Sequence, residues 1–79
     1  MKTLIDDPAV AERISALMLD VTARLNDSVW MVQEHQGRAG SADYRLAVGR
    51  VMGEILLAVL NPLYGQYPDL KPAGFDGPA

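Results

Sequence analysis

The sequence predicts an all-α protein: an antiparallel helical hairpin of two long helices plus a short C-terminal helical turn, pairing with a second copy as a dimeric four-helix bundle. Three observations carry this expectation. No proline or glycine interrupts the stretch between Pro8 and Gly37. Apolar residues on both sides of Gly37 recur with the helical period of 3.6. The second helix carries two apolar faces in a chain of only 79 residues, and one partner helix covers one face.

The first helix starts at Asp6-Asp7-Pro8, where an aspartate accepts from the first free amides and proline fits a position that needs no N–H. It is expected to run to about Gln36, because Gly37 suits the left-handed residue that ends helices. Gly37-Arg38-Ala39-Gly40 reads as a short turn, which makes the flanking helices antiparallel neighbours. Ser41 is the natural N-cap of a second helix from Ala42 to Leu60. Asn61 precedes Pro62 and is pushed out of the helical region, so the helix is expected to stop there and Asn61 to cap one more turn, from Pro62 to about Gln66. Residues 1–71 form the predicted domain. Residues 72–79, rich in glycine and proline, read as a flexible tail.

A chain this short buries only about 60% of the surface exposed by its unfolded form and usually needs a staple. Cysteine is absent and there is a single histidine, so disulfides and a structural zinc site are excluded as staples, and association is what remains. The 7 lysines and arginines are scattered among 10 acids, giving a net charge of −3. That balance lacks the basic patch of a nucleic-acid binder. The bundle resembles the ROP bundle in architecture alone, and RNA binding of that kind would want a basic face. The acidic start argues against an export signal and for the cytoplasm. The unbroken apolar run Ile55 to Leu60 is far short of the roughly 20 residues that span a bilayer, so no membrane partner is expected.

Wound at 100° per residue, the first helix gathers Val10, Ile14, Leu17, Met18, Val21, Leu25, Val29 and Val32 as its core stripe, and Arg13, Asp20, Arg24, Asp27 and Glu34 on its wet side. Leu19, Ala23 and Trp30 form a second, thinner apolar strip. The second helix places Tyr44, Val48, Val51, Ile55 and Val59 on one face and Leu46, Gly49, Gly53, Leu56 and Leu60 on the other. The expected dimer interface is therefore Leu19, Ala23, Trp30, Leu46, Gly49, Gly53, Leu56 and Leu60. Each helical glycine costs about 1 kcal/mol against alanine, a cost that makes sense where a facing helix approaches closely.

The inventory for catalysis is poor. There is no cysteine, the 3 serines lack a base partner, and no glycine-rich phosphate loop occurs; no catalytic, cofactor or metal site is expected. His35 reads as a cation at a helix C-terminus. Glu34 and His35 are adjacent rather than spaced Glu-x-x-His, so the di-iron bundle pattern is missing. Glu54 is either a functional acid at a seam or an exposed partner of Arg50. Trp30, Arg38, Tyr44 and Arg45 are the residue types of association hot spots. Leu63, Tyr64 and Tyr67 are expected to fold back over Ile5, Val10 and Ile14, with a partner groove lined by Asn61, Tyr64 and Tyr67. The function expected is that of a small homodimeric interaction or accessory module. The alternative is a binder of a small apolar ligand near Gly49, Gly53 and Glu54.

Overall fold

The computed structural model describes residues 4–72, and the described residues contain helices and no strand. Helix α1 spans Pro8–Gly40 and α2 spans Ala42–Glu54; a π-helical segment, Ile55–Leu60, leads without a break into α3, Asn61–Gln66, and a 3₁₀ turn follows at Pro68–Leu70. The sequence-predicted start is present: Asp7 is the N-cap, its Oδ1 accepts from the Ala9 amide at 2.9 Å, and Pro8 follows.

The turn between the long helices depends on Gly37. Its φ of 78° and ψ of 169° lie in a region that is essentially closed to residues with a Cβ. Hydrogen bonding stays almost continuous across it, because the Ser41 amide donates to the Gly37 carbonyl at 3.1 Å and Gln36 Nε2 donates to the Gly40 carbonyl at 2.9 Å. Ser41 is the residue before α2, but it does not cap with its side chain: Oγ donates backwards to the Arg38 carbonyl at 3.1 Å. Fully buried, Ser41 closes the turn rather than opening the helix.

Three cross-helix pairs fix the antiparallel register. Ser15 bonds Tyr64 at 2.6 Å, Ser28 bonds Tyr44 at 2.8 Å, and Arg45 Nη1 donates to Gln33 Oε1 at 3.3 Å. The Ser28 hydroxyl already donates to the Leu25 carbonyl, so at that pair the Tyr44 hydroxyl is the donor.

The predicted break at Asn61-Pro62 does not occur. Leu60 and Asn61 both hold right-handed helical angles, and the chain passes through the proline. A proline removes one helical hydrogen bond and crowds the carbonyl four residues earlier. Here the preceding turn widens: the Asn61 amide donates to the Leu56 carbonyl, five residues back, which is the hydrogen bond of a π turn. Asn61 forms no side-chain cap, and of the expected cover Tyr67 does reach the Ile5 carbonyl, whereas Val10 stays exposed. The helix continues to Gln66, which puts Leu63 (0% exposed) and Tyr64 (5%) into the core.

That core is small: Ala11, Val48, Leu60, Leu63 and Tyr64 are its buried apolar residues, with Ser15 and Ser41 as buried polar ones. Relative to the predicted stripe, α1 is rolled toward Ala11 and Ser15. Val10 and Leu17, expected inside, are exposed. The covered face of α2 and the π-helical segment runs between the two predicted ones, taking Val48 from one and Leu60 from the other, so Tyr44 and Val51 lie outside. The expected tail falls outside the described residues except for Pro72.

Candidate functional site

The open end of the hairpin, opposite the Gly37 turn, is tied by its own polar groups. Gln66 clamps the backbone before α1: Nε2 donates to the Ile5 carbonyl at 2.6 Å, and Oε1 accepts from the Leu4 and Ile5 amides at 3.1 and 3.4 Å. The Tyr67 hydroxyl lies 2.8 Å from the Ile5 carbonyl and 2.9 Å from that of Asp6, sharing its one proton between them. Beside this clamp lies a groove of about 460 Å³ whose walls include Pro8, Glu12, Tyr67, Pro68, Asp69 and Leu70.

The residues predicted for a partner groove separate here. Tyr67 lines the groove. Tyr64 is buried against Ser15, and Asn61 turns its Oδ1 into the protein, where that atom has no hydrogen-bond partner. Sequence reasoning missed Pro8, Glu12 and Asp69 as groove residues, because their meeting depends on the uninterrupted helix carrying the 3₁₀ turn back to the first turn of α1.

The second candidate is a flank of the hairpin seam. Leu19 and Thr22 of α1 meet Met52, Gly53, Leu56 and Leu60 around a groove of about 290 Å³. Four of these were expected in the dimer interface: Leu19, Gly53, Leu56 and Leu60. Leu60 forms the floor, already covered within one chain, while Trp30 and Leu46 are each 58% exposed, and Ala23 and Gly49 are exposed too. A Cβ added at Gly49 or Gly53 would meet nothing within 4 Å. Within one hairpin, therefore, no helix approaches these glycines closely.

Other large apolar side chains lie open elsewhere: Met31 at 70%, Leu57 at 61%, and Val51. Of the expected hot-spot set, Trp30 and Arg38 are exposed, whereas Tyr44 and Arg45 direct polar atoms to Ser28 and Gln33 within the hairpin. Glu54 and Arg50 are both exposed and form no ion pair with each other; Asp20 and Arg24 do, at 3.0 Å, on the wet side of α1. His35 is exposed near the end of α1. No group of three or more metal-ligating side chains occurs among the described residues.

The segment Ala42–Gln66 is 25 residues long and reaches a mean hydropathy of 1.5 over its most apolar window. Length and composition alone thus suffice for a membrane crossing, and the same properties suit a bundle helix apolar on two sides. Arg50 and Glu54 are both exposed, and the arginine alone would cost about 2.5–3.5 kcal/mol at a bilayer centre. Comparison with protein-family models, curated proteins and solved structures returns no match for this chain.

Proposed function

We propose that this protein is a homodimeric helical module of the cytoplasm whose role is association, as an interaction or accessory partner of another protein and without catalysis. One observation supports this reading above the others: a single hairpin leaves an apolar flank of Leu19, Ala23, Trp30, Leu46, Gly49, Gly53 and Leu56 uncovered or half covered. Two such flanks related by a two-fold axis make a four-helix bundle, with the bare glycine surface as the place of closest approach. Leu46→Asp tests it. Leu46 is exposed in the single chain, so the change costs the hairpin little, and in a dimer it buries a charge at the seam. Light scattering should show the wild type at twice the chain mass and the variant at the chain mass. A variant that leaves the mass unchanged removes this face from the interface.

The second reading, a small apolar ligand held near Gly49, Gly53 and Glu54, is favoured by the groove of about 290 Å³ beside Gly53. That volume is at the lower edge of ligand pockets, which begin at about 300 Å³. Native mass spectrometry of protein purified from its source separates the two, since a ligand adds a discrete mass to the chain.

A further inference from the structure

We propose that the groove at the open end of the hairpin is a docking site for a cationic peptide segment, one that sets a lysine or arginine between Glu12 and Asp69 and lays an apolar residue on the Pro8, Pro68 and Leu70 walls. The two charged residues among the groove's walls are both carboxylates, contributed by different elements: Glu12 by the second turn of α1 and Asp69 by the 3₁₀ turn. Both are exposed. The other walls are the rings and aliphatic surface of Pro8, Ala9, Tyr67, Pro68 and Leu70, with the Gln66 side chain. Aromatic and proline-lined grooves suit extended peptides, and a tyrosine ring attracts a cation at its face.

An anionic occupant is disfavoured on two counts. It would face two carboxylates on a chain of net charge −3, and the first two helical positions beside the groove offer it no free amide. Pro8 has no N–H to offer, and the Ala9 amide is taken by Asp7 at 2.9 Å. Gln66 and Tyr67, which line the groove, are also hydrogen-bonded to the Ile5 and Asp6 backbone, an arrangement that favours a preformed site. The inference rests on the proposed function only in taking association as the role; the groove lies at the end of the hairpin, away from the glycine flank, and needs no second copy.

The test is a titration of the isotope-labelled full chain, followed by amide NMR shifts, with the blocked peptide acetyl-Arg-Pro-Leu-Pro-Arg-amide and its Glu-for-Arg counterpart. The expected result is a set of shifts confined to residues 8–12 and 66–71 with the arginine peptide alone. These should weaken from low salt to about 0.3 M salt, as exposed ion pairs do. The E12Q/D69N double variant, exposed and near-isosteric at both positions, should keep the circular dichroism of the wild type and bind about tenfold more weakly, the change that about 1.4 kcal/mol represents. Absence of shifts, equal binding of the glutamate peptide, undiminished binding by E12Q/D69N, or shifts centred on the glycine flank would each overturn the proposal. A chain that sediments as a monomer yet binds the arginine peptide as described would refute the dimer and leave this groove standing.

Discussion

Ser15 and Tyr64 meet at 2.6 Å inside the hairpin, and this contact shows what single residues contribute here. Both are buried, and removing the Tyr64 hydroxyl takes this partner from the dry Ser15 hydroxyl, a loss that costs about 1–3 kcal/mol. Tyr64→Phe should therefore lower the urea midpoint, while Ser15→Ala with Tyr64→Phe together should cost less than the two singly; additivity would mean the pair is not coupled. Gly37 makes an independent claim through its backbone. With φ at 78° and ψ at 169°, Gly37→Ala should destabilise by about 1–3 kcal/mol, although nothing lies within 4 Å of the added Cβ. A melt unchanged from wild type would show that the turn relaxes to another shape. Gly37 could be read directly from the sequence, since a glycine after a long periodic run has few other uses. Ser15 could not, because a hydroxyl does not count toward an apolar stripe, and its burial depends on Tyr64 arriving 49 residues later.

At the scale of the element, the sequence rule for the residue before proline was overridden by packing. Ending at Leu60 would have left Ala11 and Ser15 without cover. Continuing through a π turn buries Leu63, brings Tyr64 onto Ser15 and fastens Gln66 and Tyr67 to Ile5. Local propensity sees the first cost and not the second gain. Truncation after Leu60 should consequently abolish cooperative thermal unfolding or lower the melting temperature by several degrees, whereas truncation after Pro72 should leave it nearly unchanged; equal melts would mean the closing turn contributes nothing. The start of α1 and the break at Gly37 fell where the spacing put them, because caps and turn glycines are local chemistry. The break is one residue wide, however, and α1 runs on to Gly40. The roll of the helices was not readable, since an apolar stripe more than 100° wide fixes a face only to within about a residue. The glycines of α2 give a two-way prediction. Open space surrounds them in one chain, so a hairpin acting alone should gain about 1 kcal/mol from Gly53→Ala by helix propensity. Against a second copy, Gly53→Leu should cost assembly about 1–3 kcal/mol by overpacking. Dimer affinity unchanged by Gly53→Leu would make the glycine incidental.

The whole molecule is long and thin, with extents of 44 × 20 × 20 Å and a radius of gyration of 14.7 Å. A compact domain of this length would have a radius of about 12 Å. Two helices side by side have a seam rather than an interior, which is why so few apolar residues are buried in a chain that is 49% hydrophobic. Contiguous exposed apolar surface is where proteins, ligands or membranes bind, and the cover proposed here is a second copy on the flank of Leu46, Gly49 and Gly53. Sedimentation equilibrium of the full chain at micromolar concentration, without detergent, tests that most directly. The account predicts a single species of twice 8.6 kDa that dissociates only as it unfolds. A folded monomer of 8.6 kDa, or a chain that stays in solution only with detergent or lipid vesicles, would contradict it.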